Sequence, residues 1–181
     1  KSAIPALFDH LFDPDFGVRA CCVEALQGYP SRDLDGGLRR VRQALHHQDP
    51  NRVAAAASAV AELADLDALV DLIGGLERGE RFAEPCRRAL MALTKQDFGL
   101  AEGRWMKWWD DHRRRHRVEW LIDGLAHKEA ELRASAIADL RRLTGESFGY
   151  EPEAAKRDRE IAHRRWLSWW SEAGRLRFLV G

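Results

Sequence analysis

Leu93-Thr94-Lys95-Gln96-Asp97-Phe98-Gly99, followed by Trp105-Met106-Lys107-Trp108-Trp109, is written twice in this chain. The second copy reads Leu143-Thr144-Gly145-Glu146-Ser147-Phe148-Gly149, then Trp166-Leu167-Ser168-Trp169-Trp170. Leu-Thr and Phe-Gly recur at an offset of 50 residues and Trp-x-x-Trp-Trp at 61, so the second copy carries 11 extra residues before its triplet. A unit of this length repeated in series points to a stacked architecture, in which neighbouring units bury each other's apolar faces. The rings of each triplet sit at i, i+3 and i+4, one stripe of a helix. Each Trp buries on the order of 200 Å², so a triplet supplies several kcal/mol at about 25 cal/mol per Å². That suffices to pin an extra helix across a pair of repeats, with Phe98 and Phe148 anchoring the turn into it. The spacing therefore predicts at least one largely buried ring in each triplet, in preference to an open aromatic platform for nucleobases or a cation. In the second copy Glu151-Pro152-Glu153 reads as a helix start. That helix runs to about Glu172, with Lys156 to Glu160 projecting beyond the core.

Outward from this element the chain repeats a two-helix sentence. Apolar residues at 4, 7, 8, 11 and 12 have helix spacing. Asp13-Pro14-Asp15-Phe16-Gly17 breaks that helix and caps the next, from about Val18 to Leu26. Leu38 to Leu45 and Ala54 to Leu63 form a second pair around the turn Asp49-Pro50. Leu66 to Leu76 and Glu80 to Leu93 form a third, with Pro85 expected to shorten or kink its second helix. Val118 to Leu125 and Glu129 to Leu143 form a fourth. Val18–Leu26 aligns with Leu132–Leu140 at an offset of 114, with apolar, Arg, small and Leu residues in shared columns. No run of β-alternation occurs, and Gly and Pro fall mostly between the helical patterns.

Asp13-Pro14-x-x-x-Val18-Arg19-x-x-x-x-x-Ala25-Leu26 resembles the HEAT repeat, as does Asp49-Pro50 running into Ala54–Leu63. The Leu-Thr…Phe-Gly…Trp-x-x-Trp-Trp element resembles an extension of some bacterial HEAT-like repeat proteins. The resemblance covers essentially the whole chain. It implies an all-α fold, a right-handed α-solenoid of about four HEAT-like helix pairs with two Trp-rich helical insertions. As one domain over 1–181, the repeats fall at about 4–28, 35–64, 66–94 and 117–144, and the insertions at about 95–112 and 145–173. It also implies adaptor or scaffold work, with the second helix of each pair lining a concave face. The apolar run at the end of the chain suggests a fragment of a longer protein.

The 29 basic and 29 acidic residues cancel over the whole chain. Residues 1–85 hold 14 acids and 9 bases, and residues 86–181 hold 15 acids and 20 bases. This is far from the pI above about 9 of a dedicated nucleic-acid domain. Cys21, Cys22 and Cys86 make no CxxC and read as free thiols on helices, which fits a reducing, cytoplasmic setting. No apolar run reaches the roughly 18 residues a membrane span needs, so membrane insertion is not expected.

No phosphate loop, nucleophile elbow or paired-carboxylate arrangement stands out, so no enzyme activity, catalytic residue or cofactor is expected. His112 and His116 have i, i+4 ligand spacing, but the surrounding Arg113, Arg114, Arg115 and Arg117 oppose a cation, and no metal site is expected. The expected site is the face of the second helices. Arg87, Arg88, Arg133 and Arg141 supply charge there, and Ala57, Val60, Met91 and Ile137 supply apolar contact. Arg suits bidentate pairing with carboxylates, and small side chains let a partner backbone approach. The partner expected is another protein, through an acidic or amphipathic segment. The alternative is a nucleic-acid binder using the same arginines for phosphates, with a DNA glycosylase-like enzyme behind it. Arg113, Arg114 and Arg115 form a secondary basic patch.

Overall fold

The computed structural model describes residues 3–179, and among them the chain is all-α, with no strand. The helices are α1 (Ile4–Asp9), α2 (Phe16–Gln27), α3 (Ser31–Ala44), α4 (Pro50–Glu62), α5 (Leu69–Gly75), α6 (Glu80–Thr94), α7 (Glu102–His112), α8 (Arg117–Gly124), α9 (Ala130–Thr144), α10 (Lys156–Trp169) and α11 (Arg175–Leu179). Single 3-10 turns extend α1 and flank α5, and a π-turn at Trp170–Gly174 joins α10 to α11. The chain divides into two compact units. The first takes the residues up to Leu93 together with Asp97–Lys107, and the second takes Thr94–Gln96 and the chain from Trp108 on.

In the first unit, aspartates start α2 and α4. Asp15 accepts from the backbone N–H groups of Gly17 and Val18 at the head of α2, at 2.7 and 3.2 Å. Asp49 accepts from Asn51 at 2.9 Å, with Pro50 in the first turn of α4 where its missing N–H costs nothing. These carboxylates satisfy donors that the helix itself cannot. The side chains of Phe8, Leu11, Leu26, Val41, Leu45, Val53, Val60, Leu72, Ile73 and Leu90 fill the core. Gly75 of α5 lies so close to α6 that a Cβ would stand 2.4 Å from the sulfur of Cys86. Burial pushes that thiol up to about 11. α6 runs unbroken through Pro85, so the proline does not shorten the helix. Its ring removes one N–H from the ladder close to the amino end, where the loss of a single bond is tolerated.

In the second unit α8 packs on α9, and their apolar faces meet α10. Val118, Leu121, Ile122, Leu125, Ala136, Ile137 and Leu140 close over Tyr150, Ala162, Trp166 and Trp170. The helix expected to start at Pro152 starts instead at Lys156. The reason lies in α9. Arg133 donates to the carbonyl of Pro152 at 2.9 Å, and Arg141 donates to that of Tyr150 at 2.8 Å. The Tyr150 hydroxyl, buried, donates to the Leu125 carbonyl. These bonds hold residues 150–152 in a non-helical path, overriding the local start signal.

The duplicated element builds the same joint twice, once in each copy. Thr94 and Thr144 end their helices fully buried, and the hydroxyl of each accepts from the backbone N–H two residues on, at 3.2 and 3.1 Å. The following residue is left-handed in both, Lys95 at φ 59° and Gly145 at φ 76°. Phe98 then meets Trp105 edge-on at 4.9 Å, and Phe148 meets Trp166 edge-on at 4.8 Å. Trp105, Trp108, Trp166 and Trp170 are buried while Trp109 and Trp169 are half-buried, so each triplet puts two rings in the core. The two copies differ at the indole nitrogen. That of Trp105 donates to the Gly99 carbonyl at 2.9 Å, while that of Trp166 is buried with no partner among the described residues.

Candidate functional site

A groove of about 950 Å³ lies in the first unit. It runs over α2, α4 and α6, with Phe12, Asp13 and Pro14 at its edge. α2 and α4 lie side by side in the same direction. At their amino ends Arg52 lies over the Phe12 ring at 4.6 Å, and at their carboxyl ends Gln27 donates to the Glu62 carbonyl at 2.9 Å. The floor is made of small side chains, chiefly Ala20, Ala54, Ala55, Ala61, Ala89 and Ala92. Those helices turn alanine outward because their larger apolar residues, Val53, Val60, Leu26 and Leu90, are drawn into the core.

Three arginines line the groove: Arg19, Arg52 and Arg88. Arg19 donates to the backbone carbonyls of Asp13 and Pro14, at 2.6 and 3.0 Å, and lies 5.6 Å from the Phe16 ring. Arg52 and Arg88 are exposed. No carboxylate pairs with any of the three among the described residues. The acids of the groove are differently placed. Asp13 accepts from the Asp15 N–H at 2.9 Å, Asp49 caps α4, and Glu62 accepts from the Ser58 hydroxyl at 2.7 Å. Asp13 and Asp49 stand at helix amino ends, where N–H groups and the helix dipole answer their charge. The cationic charge of the groove is the part left for a partner.

Of the residues singled out in the sequence, Arg88 and Ala57 line this groove. Ala57 does so while 1% exposed, and Val60 is wholly buried. Arg87 is turned to Asp97, to which it donates from two nitrogens, and to Glu84 at 3.5 Å. The Asp97 bond raises its pKa. Met91 is half-buried. Arg133, Ile137 and Arg141 belong to the second unit. Ile137 is in the core. Arg133, 6% exposed, spends its guanidinium on three carbonyls, those of Pro152, His127 and Lys128. Arg141 is exposed and also meets Glu151 at 3.1 Å. The outward columns read from sequence are rotated by about one residue. The core of α4 is Val53, Ala56, Ala57 and Val60, so Ala54, Ala55, Ser58 and Ala61 face out.

Arg113 and Arg114 are exposed, with Arg113 3.9 Å from Asp110. Arg115 instead binds Glu119 at 3.0 Å and Asp123 at 2.7 Å. His112 and His116 do separate jobs. His112 stacks on Trp108 at 4.7 Å with a ring nitrogen 2.7 Å from that residue's carbonyl. His116 caps α8 by accepting from Val118 and stacks on Trp170. Burial lowers the pKa of His116, which keeps its ring nitrogen available as an acceptor. Among the described residues no helix is long and apolar enough to cross a membrane.

Sequence reasoning missed Arg52, Phe12 and Phe16. Asp49-Pro50 carries the signal for Arg52: a capped helix beginning at Pro50 puts Arg52 on the same face as Ala55 and Ala59. Compared with known proteins, the chain matches no family model, no curated protein and no solved structure.

Proposed function

We propose that this chain is a non-catalytic protein-interaction module that grips an acidic, amphipathic segment of another protein in the groove of α2, α4 and α6. The observation carrying it is an alanine floor beside three arginines that make no ion pair among the described residues. A small-residue floor lets a partner helix or extended backbone approach closely, and its apolar side chains then lose water against the floor. Arginine adds bidentate recognition of carboxylates. The same reading takes the helix pairs as HEAT-like repeats of a short right-handed α-solenoid. The side-by-side α2 and α4, each the second helix of a pair and each opened by an Asp cap, support it. In such stacks the second helices face inward, and binding is the usual work.

A random-peptide display library panned on the purified protein tests the proposal. The peptides enriched should be acidic and amphipathic. Their affinity should fall about tenfold or more on the R19E/R52E/R88E variant, as expected when charged contacts reverse. Affinity unchanged by that variant overturns the groove. Tight binding of duplex DNA, falling linearly in log–log form with salt, replaces the protein partner with phosphate backbone.

A further inference from the structure

Resting on that reading, we infer that Phe12 and Phe16 are its specificity-determining residues: they seat Arg52 and Arg19 as carboxylate-reading forks at one mouth of the groove. The bound segment then lies in one register, with Asp or Glu side chains at the amino ends of α2 and α4 and its apolar face along the alanines. The geometry is specific to that mouth. Arg52 rests on Phe12 at 4.6 Å and Arg19 lies against Phe16 at 5.6 Å. Arg88, on α6, has no such ring against it among the described residues. A guanidinium laid on an aromatic face keeps its N–H edge free and has fewer rotamers to lose on binding. Arg19 is further fixed by the two carbonyls its Nη1 bonds, which leaves its Nε–Nη2 edge for a carboxylate. Asp13 and Asp49 stand at this mouth too, but each is engaged by a backbone N–H. Phe16 is 72% exposed, so a ring of this size stands in solvent beside the fork, ready to cover the apolar stem of an incoming Glu. The opposite end of the groove carries Glu62 at the carboxyl end of α4, where the helix dipole adds to its charge and disfavours the reversed register.

Two synthetic amphipathic Leu/Ala peptides test this, alike except that one ends in a Glu-Glu pair and the other in Gln-Gln. Each is titrated against wild type, F16L and R52K. Phe16 lies outside the core, and R52K keeps the charge while removing the planar fork, so neither variant endangers the fold. Wild type should prefer the Glu peptide by about tenfold, the scale of charge-assisted bonds in a bidentate site. That preference should shrink to about twofold on F16L and on R52K, the loss falling mainly on the Glu peptide. A nitroxide at the Glu end should broaden the amide signals of Phe16, Arg19 and Arg52 before those of Ala61 and Ala92. An unchanged Glu preference on both variants, or broadening centred on Ala92, overturns the register and leaves the groove itself standing. Failure of both peptides to bind wild type removes the groove reading and this inference together.

Discussion

Arg133 should be a structural residue of the second unit, and replacing it should destabilise that unit without touching recognition. Its guanidinium is 6% exposed and donates to the carbonyls of Pro152, His127 and Lys128 at 2.9, 2.8 and 2.6 Å. Met keeps most of the aliphatic stem, so Arg133→Met isolates the loss of these bonds. A hydrogen bond to a charged group contributes about 1.5–3 kcal/mol when buried. Lys128 is exposed and Pro152 and His127 are half-buried, so water recovers part of each bond. About 3 kcal/mol in total is the expected cost, at about 1 kcal/mol per bond. For a unit of this size that corresponds to a fall in Tm of more than about 10 °C. The assay is urea denaturation followed by Trp emission, because six of the seven tryptophans lie in the second unit. A shift under about 0.5 kcal/mol, the range of ordinary surface changes, would refute the reasoning, most plainly if peptide affinity fell instead.

Trp105→Phe should cost about 1 kcal/mol more than Trp166→Phe in urea denaturation followed by far-UV circular dichroism, because Trp105 loses its hydrogen bond to Gly99. Equal losses would show that the indole nitrogens do not distinguish the copies. Gly75→Ala should destabilise the first unit by about 1–3 kcal/mol through overpacking, since its Cβ would meet the Cys86 sulfur. Adding Cys86→Ala should restore most of that, read by thermal melting. At Asp139 burial pushes the pKa up, but Lys95 at 3.0 Å, with Arg117 and Arg142 each at 3.3 Å, outweighs it and holds the carboxyl below 3.8. A depressed carboxyl stabilises the fold above its unfolded pKa and loses that contribution as pH falls through the folded value. Asp139→Asn should therefore flatten the acid limb of the stability–pH curve below pH 3.8. An unaltered limb would show that other carboxylates set it.

Local signals were the legible ones. Asp15 and Asp49 stand out because a cap is written within three residues of the helix it starts. The Trp stripe is equally local, and its burial follows from ring area alone. The phase of the second helices was less legible. Val18, Cys21 and Ala25 are as apolar as the residues beside them, so α2 offers two nearly equivalent faces, and only packing selects Cys22, Val23 and Leu26. α10 was misplaced at its start for a non-local reason, since Arg133 and Arg141 act across 19 and 9 residues of chain to hold the approach to it. The same two arginines looked like binding residues because an exposed and a committed guanidinium are identical in one dimension. The groove's aromatic edge was hidden for the converse reason. Phe12 ends one helix and Arg52 opens another, and nothing in sequence brings them together.

The spacing of Phe and Trp in the two copies has a consequence for chain entropy. Six residues separate Gly99 from Trp105 and 17 separate Gly149 from Trp166, yet the ring distances agree to 0.1 Å. Closing the longer path costs only about 0.9 kcal/mol more on the logarithmic scaling of flexible loops. The aromatic clasp is thus nearly indifferent to how much chain it spans. Within the longer path residues 150–152 are held by Arg133 and Arg141 and α10 begins at Lys156, so the exposed Glu153 between them is the place to splice in a reporter, with the clasp closing behind it.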